Sequence, residues 1–190
     1  MPNPFIDSFG NSVIEPPNTP KDVLYTITPE TVRLFIAAAS SSRNKAIISL
    51  LADSGVRPGE LTSIQAHDLD LERLRIKVMG KGGKEGYLVF GATTEALIAR
   101  HLQEAQPNES LFGLNAHGLK TMLWRLGIRT GINCNAHRFR RGFATELRRN
   151  RLSELDIAEL GRWSSTAMVK RYSRAYTFDD AAERYKPIVE

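Results

Sequence analysis

The sequence predicts an α+β domain, mainly α-helical with one small antiparallel β-sheet. Three observations lead there. Apolar residues recur at helical spacing through most of residues 28–176, and several of these runs are bounded by capping residues. A single stretch, from Arg73 to Phe90, switches to period two around a glycine-rich turn. Of the 190 residues 42% are hydrophobic, enough to build one real core.

The elements follow in chain order. Residues 1–27 hold five prolines and no helical period, so they read as an N-terminal arm or linker. "TPETVRLFIAAA" starts a helix, with Thr28 as N-cap, Pro29 at the first helical position and Glu30 in the positive-dipole turn. A second helix, from about Asn44 to Ser54, stops at Gly55, and Pro58 can open a short third. "RLRIKVM", the turn "GKGGK" and "EGYLVF" form a two-stranded hairpin with lysines at its tip. "TTEALIARHLQEA" and "NAHGLKTMLWRLG" are amphipathic helices, and "HRFRRGFATELRRN" is another, with Phe139, Phe143 and Leu147 four apart on one face. "SELD" at Ser153–Asp156 is a capping box opening a further helix, and a last one near Met168–Ser173 carries Tyr172.

Composition narrows the function classes. Net charge is +5, yet residues 131–174 alone carry ten basic against four acidic side chains, so the rest of the chain sums to −1. Positive charge gathered in one segment is the footprint of a polyanion-binding face, with nucleic acid as the leading partner; a solvated basic helix is the plainer explanation. The longest uncharged apolar run, "AIISLLA", is far short of a membrane span and no secretory signal is readable, so a soluble cytoplasmic protein is expected. Cys134, the single cysteine, is expected to be buried and inert. His67, His101 and His117 have no ligand spacing, "GKGGK" lacks the phosphate-loop frame, and neither metal nor cofactor is expected.

A few residues could carry chemistry. Arg57, between a helix-stopping glycine and a helix-starting proline, can project a guanidinium fork toward phosphate oxygens, with Glu60 one turn on to orient it; an ordinary surface ion pair has the same spacing. His137 and Arg140, three apart, share a helix face and suit a phosphodiester centre, although His137 could simply cap its helix. Lys81 and Lys84 at the hairpin tip could enter a groove, and an ammonium there could protonate a departing oxygen. Trp163 is a core residue by type, with one indole N–H to donate. Tyr172 and Tyr176, in "MVKRYSRAY", are not distinguished by composition.

In the order Arg, Lys, His-x-x-Arg, Trp, Tyr, these residues make the chain resemble the catalytic domain of the tyrosine recombinases, the phage integrase family, over roughly residues 28–176. "LLADSGVRPGEL" looks like the family's first-arginine segment, "IKVMGKGGKEGYLVF" like its lysine-bearing hairpin, "AHRFRRGFATEL" like its His-x-x-Arg helix and "ELGRWSSTAMVKRYSR" like the segment ending in the nucleophile. The resemblance implies that fold, and a site-specific recombinase or integrase that cleaves and rejoins DNA through a 3′-phosphotyrosyl intermediate without metal or ATP.

The implied roles are Arg57 and Arg140 as phosphate clamp, Glu60 as the acid that steadies them, Lys81 as general acid, His137 in proton transfer, Trp163 in the family's His-or-Trp position and Tyr172 as nucleophile. Lys84, Arg138, Arg141, Arg162, Lys170 and Arg171 are expected to contact DNA. The implied partners are double-stranded DNA and further protomers in a DNA-bound tetramer, with a monomer expected in its absence. Residues 177–190 are expected either to dock on a neighbouring protomer or to pack on their own domain.

The chain departs from the family's pattern in three places. Arg141 stands where a second histidine is common, "GRW" replaces a more usual Gly-His, and 27 residues are too few for the family's N-terminal DNA-binding domain. The last points to a catalytic-domain fragment or a reduced member. A type IB topoisomerase-like nick-and-reseal enzyme and a non-catalytic DNA-binding module of the same fold are the alternatives.

Overall fold

The computed structural model describes residues 26–80, 83 and 85–184. The expectations for Lys81, Lys84 and most of the N-terminal arm, and for the chain beyond residue 184, lie outside the described residues. In chain order the elements are α1 (Pro29–Ala38), α2 (Ser42–Ser54), α3 (Pro58–Ser63), a 3-10 turn (Ala66–Asp68), β1 (Leu69–Asp70), β2 (Arg75–Met79), β3 (Glu85–Val89), α4 (Ala92–Ala105), α5 (Ala116–Thr130), α6 (Ala136–Arg149), α7 (Glu154–Leu160), α8 (Thr166–Tyr172) and α9 (Phe178–Ala182).

Capping chemistry sets most of these boundaries. Thr28 Oγ1 accepts the Thr31 N–H at 3.3 Å at the start of α1. Helix α2 begins before Asn44, because Ser41 Oγ accepts that residue's N–H at 3.2 Å. It ends at Gly55, whose φ of +54° is the left-handed conformation that glycine adopts without a Cβ penalty. The α6 cap belongs to Asn135, whose Oδ1 accepts the Arg138 N–H at 3.0 Å, so His137 is not the cap and its imidazole is free to face outward.

The sheet has three antiparallel strands in the order β1-β2-β3, one more than the predicted hairpin. In its register Ile76 pairs with both Leu69 and Leu88. Strand β1 is two residues long, too short to show a period. Ile76, Val78 and Leu88 point inward and are buried, while Arg75, Lys77 and Tyr87 line the opposite face, with the Arg75 guanidinium 4.8 Å from the Tyr87 ring centre.

Two apolar clusters meet on α6. The larger centres on α2, where Ile47, Ile48, Leu50 and Leu51 are fully buried, each worth about 1.5–3 kcal/mol relative to exposure. Phe139 joins it by packing on Phe35. One turn later Phe143 and its neighbour Ala144 belong to the second cluster, with Ile157, Ala158, Trp163 and Val169 from α7, α8 and their loop. A polar staple ties α2 to α4: Asp53 accepts from the Gly91 N–H (2.9 Å) and the Thr94 hydroxyl (2.6 Å). The end of α2, which leads into Arg57, is therefore anchored to the strand-to-helix corner.

Cys134 is buried, and burial pushes its thiol up to about 12, so it stays a protonated core residue. Among the described residues no helix is long and apolar enough to cross a membrane. Helix α9 packs on its own domain: Asp180 pairs with Arg149 Nε at 2.8 Å, Arg184 donates to the Arg148 carbonyl at 2.6 Å, and the Tyr176 ring lies 4.6 Å from the Arg148 guanidinium carbon.

Candidate active site

Arg57 sits at the N-cap of α3, where an extended backbone turns its side chain off the helix end. Glu60, on the first turn, accepts the Arg57 backbone N–H through Oε2 (3.2 Å) and the guanidinium Nη1 through Oε1 (2.6 Å). Its Oε2 also accepts from Arg162 Nη2 at 2.9 Å, and Arg57 Nη2 donates to the Arg162 carbonyl at 2.9 Å. Burial works against the Glu60 charge, but the Arg162 charge and the Arg57 hydrogen bonds outweigh it and hold the carboxyl below its ordinary value. Glu60 is buried, whereas 42% of the Arg57 side chain remains exposed and available to a ligand.

Helix α6 supplies the second arginine. Arg140 is buried, donates from Nη2 to the Gly161 carbonyl at 2.7 Å and from Nη1 to the Gly55 carbonyl, and lies with its guanidinium carbon 4.4 Å from the Trp163 ring centre. Burial, then repulsion from Arg57 and Arg162, lowers it to about 10, so it is still charged at neutral pH. Three guanidiniums against one carboxylate leave this cluster with two net positive charges. Such an arrangement suits an anion better than an empty site.

One turn away on the same helix, His137 faces outward with its ring centre 5.1 Å from that of Tyr172, edge to face. Partial burial, then the charges of Arg141, Arg140 and Arg171, holds the imidazole below its ordinary 6.5, so it is neutral at pH 7. Tyr172 is the last residue of α8 and half-buried, with its ring 5.3 Å from that of Trp163 and 5.8 Å from the Arg140 guanidinium carbon. Ser173, which follows it, accepts from Arg148 Nη1 at 3.0 Å and donates to the Val169 carbonyl at 2.8 Å, fixing the end of the helix. A cavity of about 230 Å³ opens beside Tyr172, lined by His137, Arg141, Arg171 and Arg174.

Arg57, Glu60, His137, Arg140, Trp163 and Tyr172 thus converge from α3, α6, the α7–α8 loop and α8. Trp163 is buried, and its indole N–H has no partner among the described residues. Arg141 and Arg171 face the cavity. Of the other described residues expected to contact DNA, Arg138 donates to the Asn133 carbonyl at 2.5 Å, and Lys170 pairs with Glu154 at 3.7 Å. The Arg162 side chain turns inward onto Glu60, with 13% of it exposed. The carbonyls of Gly55 and Gly161, which receive Arg140, were not legible in the sequence because a backbone acceptor carries no residue signature. Arg148 and Ser173 were missed for a related reason, since they act 25 positions apart. Among the described residues no group of three or more His, Cys, Asp or Glu side chains could hold a metal ion.

Residues 25–177 match the phage integrase family, spanning all the converging side chains. The chain belongs to that family. Similar proteins include a tyrosine recombinase XerA of Saccharolobus solfataricus, 34% identical over 115 residues, which are 60% of this chain and 40% of the relative. A tyrosine recombinase XerA of Pyrococcus horikoshii is 28% identical over 185 residues, 90% of this chain and 65% of the relative. A crystal structure of XerA recombinase superimposes with a TM-score of 0.78 at 26% identity, covering 88% of this chain and 65% of that one. The chain thus spans between 40% and 65% of the length of these relatives.

Proposed function

We propose that this chain is the catalytic domain of a site-specific DNA recombinase or integrase that cleaves and rejoins strands through a 3′-phosphotyrosyl intermediate. The observation that carries the proposal is the convergence of Arg140, a neutral imidazole and a buried indole on Tyr172, with the Arg57 charge acting on Arg140. The Tyr172 hydroxyl attacks the scissile phosphorus, a tyrosyl P–O bond forms and the P–O5′ bond breaks. The phenolic proton passes toward His137, and the departing 5′-oxygen takes a proton from Lys81. Attack by a 5′-hydroxyl of a partner strand reverses the step, and the covalent intermediate conserves the phosphodiester energy without ATP.

Arg57 and Arg140 hold the non-bridging oxygens. As the phosphorus becomes five-coordinate it gains a second negative charge, and the two net positive charges of the cluster meet it with donors already in place, usually the largest catalytic contribution. Arg141, Arg171 and Arg174 supply positive charge around the nucleophile, and double-stranded DNA is the partner this charge fits. The cis contacts of α9 suit a monomer free of DNA in the cytoplasm; in a DNA-bound tetramer residues 177–190 would pass to a neighbouring protomer.

The test is covalent capture on a pool of nicked duplexes of randomised sequence, followed by joining of captured strands to a second, distinct duplex, with EDTA present. Adducts and joined products are expected. Adducts that only reseal would indicate a nick-and-reseal enzyme, and no adduct at all a DNA-binding module without chemistry.

A further inference from the structure

We propose that Arg162 is a positioning residue for Arg57, closing a ring of hydrogen bonds that aims the Arg57 guanidinium at the scissile phosphate. The inference rests on the strand-cleaving reading above. The ring has two arms. Through its side chain, Arg162 Nη2 holds Glu60 Oε2 at 2.9 Å while Glu60 Oε1 holds Arg57 Nη1 at 2.6 Å. Through its backbone, the Arg162 carbonyl accepts Arg57 Nη2 at 2.9 Å. Arg57 is thus gripped at both terminal nitrogens by groups that one residue, 105 positions away, fixes in place. Its remaining N–H donors stay free for a ligand.

The site is built to admit this side chain. Arg162 has φ +51°, a left-handed conformation unfavourable for any residue with a Cβ, and it is held there by the Glu60 pair and a bond from Nη1 to the Leu160 carbonyl at 3.2 Å. Its stem passes over Gly86 of β3, where an added Cβ would lie 3.0 Å from Arg162 Cδ. Without Arg162 the Glu60 carboxylate would keep a single cationic partner. It would then draw Arg57 into a closer pair and turn the fork away from phosphate.

Single-turnover adduct formation on the nicked-duplex pool tests this, using the full chain, Arg162→Gly, Glu60→Gln and the double variant, with duplex affinity measured across a salt series. Glycine suits the backbone at this position, so Arg162→Gly should fold, as thermal unfolding will check. At saturating DNA it should cleave roughly 10- to 100-fold more slowly, the scale of a misplacement near 1 Å, with affinity and its salt dependence unchanged. Glu60→Gln should fall comparably, and the double variant should be no worse than the worse single one, because both act through Arg57.

Wild-type cleavage rates in Arg162→Gly, or losses that add in the double variant, would overturn the inference. So would a loss confined to affinity with the salt slope reduced by about 0.9, the mark of a direct phosphate contact. If Arg162→Gly does not fold, an undiminished rate in Glu60→Gln overturns it alone. No adduct from the unaltered chain would remove the cleavage reading and this inference with it, whereas equal adduct from the unaltered chain and Arg162→Gly removes only the latter.

Discussion

Replacing Gly161 by alanine should slow cleavage while leaving the fold standing. Gly161 closes α7 at φ −81° and ψ −3°, dihedrals that alanine also accepts, so the backbone raises no obstacle. The obstacle is Trp163: a Cβ at Gly161 would lie 2.8 Å from the indole Cη2 and nearer still to Cε3 and Cζ3. Carbon atoms rest at about 3.5–4.0 Å and the nearest ring atom, Cζ3, would lie deepest inside that distance, so that edge of the ring has to retreat by roughly 1.5 Å. Overpacking of this kind costs about 1–3 kcal/mol, which a domain of ordinary stability, about 5–15 kcal/mol, survives.

The indole face lies 4.4 Å below the Arg140 guanidinium carbon and its ring centre 5.3 Å from that of Tyr172, so both reacting partners lose their support together. A shift near 1 Å in a reacting group costs about 10²-fold, equivalent to about 2.7 kcal/mol of barrier. Single-turnover adduct formation alongside urea unfolding separates the two effects. A Gly161→Ala protein that cleaves at the wild-type rate would refute the idea that the Trp163 position controls Arg140 and Tyr172.

Arg57→Ala and Arg140→Ala should each slow adduct formation by about 10²-fold or more. They should differ in stability, because Arg140→Ala strands the carbonyls of Gly55 and Gly161 in buried bonds at about 1–3 kcal/mol each, whereas Arg57→Ala strands the single, part-buried carbonyl of Arg162; equal urea midpoints for the two variants would contradict this. The acid limb of the cleavage rate should lie below pH 6.5, the ordinary imidazole value, because partial burial and the surrounding arginines hold His137 under it. Arg141→Gln relieves part of the repulsion, so the acid limb should move to higher pH in a stopped-time pH–rate series. Tyr176→Phe keeps the ring between Arg148 and Arg184 and should cleave like wild type.

Local signals in the sequence carried over well into the structure. Thr28, Gly55, Pro58 and Ser153 each mark a helix boundary near the expected place, because capping and left-handed turns are decided by a residue and its immediate neighbours. The three-residue spacing of Arg57 and Glu60, and of His137 and Arg140, likewise reads directly as one turn of helix. What could not be read is anything set by distant chain. Strand β1 exists only because β2 pairs with it, and two residues have no period. Arg162 looked like one more basic residue in a basic segment. Its inward turn depends on Glu60, 102 positions earlier, and on the space above Gly86. Charge patterning gives the sign of a surface but not which of its arginines are spent inside.

The central claim is that Tyr172 is the nucleophile, and mapping the covalent linkage tests it most directly. Wild-type protein and Tyr172→Phe, each incubated with the nicked-duplex pool, would be digested and the nucleotide-bearing peptide identified by mass spectrometry. The wild type should yield one modified peptide with the nucleotide on Tyr172, and Tyr172→Phe should bind DNA nearly as well and yield none. A nucleotide on Tyr176, or an adduct formed by Tyr172→Phe, would contradict the mechanism.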